Sequence, residues 1–473
     1  MARHSLAMRH FRFALLGGIA LGLLAAPASA DTLQEAMAMA YQGNPNLLAA
    51  RAQLRATDEN VPIALSGWRP SINVSGQVQR NRNENQILAG GGVGQVVTGG
   101  VVQRTSESVQ VQLIQPIFRG FRTVAQTAQA RNQVSAQRAR LEATEAQVLL
   151  QVATAYLDVL QNQAVVELQM NNVQVLTRQL EATNDRFRVG EITRTDVAQS
   201  EANLAGAKAS LVQAEGALQQ ARSTYQNIVG KAPENLERPP LPGLLPDSLQ
   251  SALDVAIAEN PNYLAADYTA QAADEAISLA RGDLLPSVQI VGTYGRGWNT
   301  VADKSRSENI SAVAQVSVPI YQSGSEYARL RQSKHTAGQQ RLLADQARLD
   351  ARNFATTSWE NLQATTASIE SFQSQVSANE IALEGVQREA EVGARTVLDV
   401  LEEEQRLLNS RVNLVRAQRD QVVAAYQLLS AMGLLTGVDM TLDVPAYDPE
   451  AHFNDVEYQA FGSDADAGYD GNR

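Results

Sequence analysis

No cysteine occurs in this chain of 473 residues. That absence excludes a disulfide scaffold, thiolate metal sites and a lipid-carrying N-terminal cysteine. Histidine is nearly as scarce: beyond the first thirty residues only His335 and His452 occur, far apart, so no multi-histidine metal site is readable. Basic residues are outnumbered, with a formal net charge of −11, which makes nucleic acid a poor partner for the chain. After residue 30 no run of about 18 consecutive apolar residues appears, so no transmembrane helix is expected. Any membrane crossing must then be made by strands. There is no phosphate-binding glycine motif and no nucleophile elbow, and the glycines near Gly90 lack dinucleotide spacing. No cofactor, no metal and no enzymatic activity are expected.

What is present begins with a secretory signal peptide at residues 1–30. Arg3, Arg9 and Arg12 precede an apolar run from Phe13 to Ala26, and Ala28-Ser29-Ala30 forms a small-residue cleavage pattern. The mature chain is dominated by an internal repeat. Pro116-Ile117-Phe118, Arg188-Val189-Gly190 and Thr195-Asp196-Val197 return as Pro319-Ile320-Tyr321, Glu391-Val392-Gly393 and Leu398-Asp399-Val400. One constant offset relates all three pairs, so this part repeats without an insertion. Between the first two landmarks of each copy runs a helical pattern of roughly 70 residues, about 105 Å at about 1.5 Å per residue. No single globular core needs a helix of that length.

The periodicities fill in the rest. Val152, Val159, Val166, Val173, Leu180 and Phe187 recur every seventh residue, and so do Val197, Leu204, Leu211, Leu218 and Tyr225. A sustained seven-residue apolar repeat marks a coiled-coil seam, renewed by Leu362, Ile369, Val376 and Leu383 and by Leu401, Leu408, Val415, Val422 and Leu429. Helical pattern fills Asp31 to Ser66. Ahead of the first long helix, Ile72, Val74 and Val78 alternate with Asn73, Ser75, Gln77 and Gln79, and Val109, Val111 and Leu113 alternate with Gln110 and Gln112, which is strand patterning. Gly90–Gly100 reads as a loop between these strands, and Pro116 as a first-turn residue of the long helix. The second copy repeats both strands (Val288–Trp298 and Asn309–Ile320) and is shorter between them. The expected divisions are residues 31–230, first repeat; 231–246, proline-rich linker; 247–437, second repeat; and 438–473, ending from Tyr447 in a disordered acidic tail.

Four strands of about ten residues suit a tilted bilayer crossing, yet four cannot close a barrel. Open edges are not tolerated in lipid, so an oligomer must supply the remaining strands. Three copies would give twelve. The competing reading is a periplasmic coiled-coil scaffold with two decorative hairpins and no pore.

The repeat, together with Arg188-Val189-Gly190, Thr195-Asp196-Val197, Val392-Gly393-Ala394-Arg395-Thr396 and Asp399-Val400-Leu401, resembles the TolC family of outer-membrane efflux proteins over Asp31–Gly437. The resemblance implies a mixed α/β membrane protein. Its homotrimer would form a 12-stranded antiparallel outer-membrane β-barrel, four strands per chain, continued by a long periplasmic α-helical coiled-coil barrel. It implies a passive exit channel in the outer membrane, surrounded by outer-membrane lipid. That channel would dock through a periplasmic adaptor, or membrane fusion protein, to an energised inner-membrane transporter of the RND, ABC or MFS class. Small-molecule efflux and dedicated polypeptide secretion both fit.

The informative polar residues lie at the turns of the long helices. Asp399 and Glu402 sit three apart and share a helix face. They could ring the narrowest part of a tunnel, or simply complement a helix N-terminus; the resemblance implies the ring, the channel constriction. It likewise implies gating contacts between Arg395 and the Thr195/Asp196 turn, for which an ordinary surface pair is the bland alternative. Val189, Gly190, Val392 and Gly393 would form the adaptor docking turns, with both glycines at positive φ. One departure stands out: where the family's prototype has an aromatic gating residue, this chain has Ala390.

Overall fold

The computed structural model describes residues 32–89 and 96–462. The signal peptide and the far end of the acidic tail lie outside the described residues. The first half opens with three short helices, α1 (Leu33–Gly43), α2 (Pro45–Asp58) and α3 (Asn60–Leu65), then strands β1 (Ser71–Ala89) and β2 (Val96–Arg119). Helices α4 (Arg122–Arg188) and α5 (Arg194–Val229) complete it. The second half contains α6 (Leu249–Glu259), α7 (Pro261–Gly282), β3 (Ser287–Trp298), β4 (Arg306–Ser317), α8 (Ser325–Glu391) and α9 (Val397–Met432), followed by a short α10 (Ala451–Val456). Both α4 and α8 are 67 residues long, and α5 and α9 are both 36. Each long helix therefore extends about 100 Å. Among the described residues no helix is long and apolar enough to cross a membrane.

The two halves use the same local devices. Asn44 caps α2, accepting from the Asn46 N–H at 3.0 Å, with Pro45 in the first turn; Asn260 caps α7 in the same way, with Pro261 following. Proline costs nothing there because its missing N–H would have no helical partner. Each asparagine also reaches its amide across to the end of a coiled-coil helix. Asn44 donates to the Ile228 carbonyl at 3.1 Å and Asn260 to the Ala431 carbonyl at 3.0 Å. The Asn-Pro-Asn motif thus starts one helix and pins another.

The apolar core is concentrated in a belt where α1, α2 and α3 wrap the middle of α4 and the ends of α5 and α9. Leu47, Leu149, Val152, Tyr156 and Leu429 are fully buried there. By contrast α8 leaves Leu342, Leu343, Leu349 and Phe354 exposed in the single chain.

The four strands form one antiparallel sheet in the order β1-β2-β3-β4, with β1 and β4 at its edges. Residues directly opposite one another share a face, so the register assigns the two surfaces. One surface carries Ile72, Val74 and Val78 of β1, Val109, Val111 and Leu113 of β2, Ile290 and Tyr294 of β3, and Ile310 and Val316 of β4. The other carries Asn73, Ser75 and Gln77, then Gln112, Gln110 and Ser108, Gln289 and Thr293, and Gln315, Ser311 and Asn309, interrupted by Ile114, Val291 and Val313. Gln289 donates to Gln315 at 3.1 Å, and the Thr293 and Ser311 hydroxyls are hydrogen-bonded to each other.

Several expectations need correction. The first two strands are not about ten residues long but 19 and 24. Strand pairing does not need a bilayer, and the ladder simply continues past the apolar stretch. The loop read at Gly90–Gly100 is too long, because 96–100 belong to β2; 90–95 lie outside the described residues. Pro116 is not in a helix. It lies in β2 beside a register shift between Pro116 and Phe118, a place where a residue without an N–H is tolerated. Gly120 and Phe121, both at positive φ, then turn the chain into α4.

Nor is the segment from Tyr447 to residue 462 a structureless tail. His452 Nδ1 lies 3.1 Å from Asp58, Glu450 pairs with Arg138 at 2.8 Å and Glu457 with Arg131 at 2.7 Å. The Arg51 guanidinium stacks between the rings of Tyr41 and Tyr447. These contacts are polar and non-periodic, so no hydrophobic pattern announces them.

Candidate functional site

Far from the sheet, two helical turns close the coiled coil: α4 to α5 and α8 to α9. They are built alike. The Gly190 N–H donates to the Phe187 carbonyl and the Glu191 N–H to the Arg186 carbonyl, both at 3.0 Å. In the second turn the Gly393 N–H donates to Ala390 at 3.2 Å and the Ala394 N–H to Glu389 at 2.9 Å. Both are Schellman terminations, which need a left-handed residue just past the helix. Gly190 at φ 79° and Gly393 at φ 80° supply it, with open space around both. Each glycine follows a valine thrust into solvent, Val189 at 78% and Val392 at 80% exposure.

The next helix starts with a reciprocal cap. The Thr193 hydroxyl accepts from the Asp196 N–H, while the Asp196 carboxylate accepts from the Thr193 N–H and hydroxyl at 2.8 and 2.7 Å. Thr396 and Asp399 repeat this at 2.9 and 2.8 Å. The Thr193 hydroxyl and N–H hold Asp196 below the usual aspartate value, and the Thr396 N–H and hydroxyl do the same for Asp399. A carboxylate with a depressed folded value contributes stability that is present above its unfolded value and lost as pH falls through the lowered one. First-turn amide protection in α5 and α9 should therefore persist from neutral pH to about pH 5 and fade below about pH 4. Thr193→Ala or Thr396→Ala should cost about 1 kcal/mol, a roughly fivefold rise in first-turn hydrogen exchange at neutral pH.

The acids and bases around the second turn form a dense pattern. Arg395 pairs with Glu389 at 2.9 Å, bridging the turn within one chain; Asp196 is bonded to Thr193, and Thr195 is exposed at the head of α5. The structure thus does not bring Arg395 to Thr195 or Asp196 inside one chain. Glu389 raises the Arg395 value further. Glu402 faces Arg406 at 3.8 Å, and Glu403 pairs with the same arginine. Glu404 accepts from Gln387 at 3.1 Å, and partial burial lifts its value. Glu402 remains mostly exposed, beside a groove it shares with Leu401, Asn172 and Asn203. Ala390, partly buried, packs against the cluster of Leu383, Val400 and Leu407. Among the described residues no group of three or more His, Asp or Glu could hold a metal ion.

Thr193 and Glu389 were not singled out from the sequence, and Thr396 was named there only within its motif, without a capping role. The two threonines carry a readable signal, Thr-x-x-Asp opening an apolar helix pattern. Glu389 carries none, because its partner lies across a turn.

The model of the family described as "Outer membrane efflux protein" matches residues 36–231 and 252–434. Outer membrane efflux protein BepC of Brucella suis is 35% identical over 437 residues, 92% of either chain. Outer membrane protein TolC of Vibrio cholerae is 28% identical over 447 residues, covering 90% of this chain and 96% of that one. Among solved structures, the outer membrane protein VceC of Vibrio cholerae superposes with a TM-score of 0.72 at 19% identity, over 85% of this chain and 96% of that chain.

Proposed function

Because the chain belongs to the outer membrane efflux protein family, a family of transport channels and not of enzymes, we propose that three copies close a twelve-stranded barrel in the outer membrane. Their paired helices continue it as a periplasmic tunnel. The observation that carries this reading is the sheet itself: all four strands are apolar on one face and predominantly polar on the other, in register, with two unpaired edges. An apolar face with a polar lumen is the pattern of a membrane barrel. On β4 the apolar line runs from Ile310 to Val316, about 20 Å along the strand, and Val318 and Ile320 follow just past its end. The longer β1–β2 hairpin extends beyond that line.

The channel is passive. A periplasmic adaptor joins it to an energised inner-membrane transporter, and the transporter chooses the cargo. The adaptor meets the turns at Val189, Gly190, Val392 and Gly393, whose exposed valines offer apolar contact at the far tip. Asp399 and Glu402, repeated three times, form the acidic constriction. Arg395 meets Thr195 and Asp196 of an adjacent turn in the closed state by exchanging its bond to Glu389.

A chain without cysteine permits a clean test. Single cysteines scanned along β4 from Ile310 to Val316, each combined with Val74→Cys on β1, should give covalent dimers and trimers under mild oxidation at one register. Monomers at every register, from protein that carbonate releases from membranes, would return the chain to the scaffold reading.

A further inference from the structure

The lipid-facing surface does not end in neutral residues. Two and four positions above Val78, on the same face of β1, stand Arg80 and Arg82; on β4 the corresponding end of the face is Arg306, directly opposite Trp298 of β3. All three arginines are exposed, and none has a carboxylate within ion-pair distance among the described residues. The other charges on this rim are accounted for separately. Arg296 lies 3.5 Å from Glu308, which also accepts from the Tyr294 hydroxyl at 3.0 Å. Glu107 stands opposite Val78 and Trp298, and Glu84 two residues beyond Arg82, both without an ion pair among the described residues.

The unpaired arginines lie on β1 and β4, the two edges of the sheet. When copies join edge to edge, Arg80 and Arg82 of one approach the seam from one side and Arg306 of the next from the other. Trp298 marks the level of Arg306, where aromatic side chains of barrels meet the membrane interface. Guanidinium groups match phosphate oxygens in a planar, two-pronged geometry. A cationic rim continuous with an apolar wall fits a ligand whose tails lie against the wall and whose head is anionic.

We propose that each seam of the barrel binds the phosphate-bearing headgroup of an outer-leaflet lipid through Arg80, Arg82 and the next copy's Arg306. The proposal rests on the trimeric reading above. It gives the rim a function beyond enclosing a pore: anchoring the barrel at a fixed depth and bracing the joint between chains.

The test uses the full-length trimer in nanodiscs of neutral phosphatidylcholine doped with a phosphorylated saccharide lipid or with the same lipid after phosphatase treatment. Lipid retained through delipidation is counted by native mass spectrometry, and the trimer's melting temperature is followed. The wild type should retain the phosphorylated lipid, melt several degrees higher with it, and keep it in excess inorganic phosphate. The Arg80→Gln, Arg82→Gln, Arg306→Gln variant should conduct as a channel but lose both effects. Equal retention by the variant, or equal retention of the dephosphorylated lipid, overturns the proposal, and so does displacement by free phosphate. A wild type that forms neither trimer nor channel removes the reading beneath it, and is recognised by the silent bilayer rather than by the lipid count.

Discussion

Gly120→Ala is expected to lose the folded trimer, and Gly282→Ala to weaken it severely. The two glycines lie where the end of β2 crosses the end of α7, the joint between sheet and coiled coil. A Cβ on Gly120 would lie 2.5 Å from the Gly282 carbonyl oxygen, and one on Gly282 would lie 2.6 Å from the Gly120 carbonyl oxygen and would also strike the Arg122 side chain. Neither backbone can retreat easily, because Arg122 is tied to the Arg119 carbonyl at 3.1 Å and to Asp283 at 3.0 Å. Gly120 also sits at φ 60°. A left-handed alanine costs about 1–2 kcal/mol, and forcing an atom into a packed crossing about 1–3 more. Gly120→Ala should therefore cost about 2–5 kcal/mol and Gly282→Ala about 1–3. Gly206 and Gly216 of α5 have open space around them, so alanine there should be neutral or stabilise by up to about 1 kcal/mol through helix propensity. Thermal dissociation of the detergent-solubilised trimer checks the set. A Gly120→Ala protein that melts with the wild type would mean the strand-to-helix joint is not packed this way.

That joint was invisible in the sequence, whereas much of the rest was legible. The heptad positions and the long offset between Gly190 and Gly393 point to paired helices because a seven-residue apolar repeat has few other solutions. Alternation from Ile72 to Gln79 gave strands, since period two separates a wall from a lumen. Pro116 misled because proline suits both a first helical turn and a strand irregularity, and only the partner strand decides between them. The ordered end of the chain was missed because Arg51 between two tyrosines and Asp58 beside His452 join segments nearly four hundred positions apart. At the turns, glycine and acid were readable as types. Which threonine caps, and which acid Arg395 holds, depended on geometry that spacing does not encode.

The second large effect concerns charge at the far end of the tunnel. The bonds from the Thr396 N–H and hydroxyl hold the Asp399 carboxyl below the usual aspartate value, so capping the helix and presenting negative charge are compatible roles. Glu402 adds a second carboxylate one turn on, only loosely met by Arg406. On the trimeric reading, three copies would place two acidic rings about one helical turn apart, and rings of carboxylates favour cations in a narrow pore. Asp399→Asn with Glu402→Gln keeps the volumes, leaves an acceptor for the cap and removes all six charges. Cation preference should fall severalfold, while the exposed position of both groups leaves trimer stability little changed.

Single-channel recording of the purified wild type beside that double variant, in a planar bilayer under a salt gradient, tests the central claim most directly. Discrete conductance steps in both proteins are expected, with the reversal potential of the variant shifted toward zero. A bilayer that stays silent with either protein would contradict the channel itself. Steps with identical reversal potentials would keep the channel and remove Asp399 and Glu402 from its constriction.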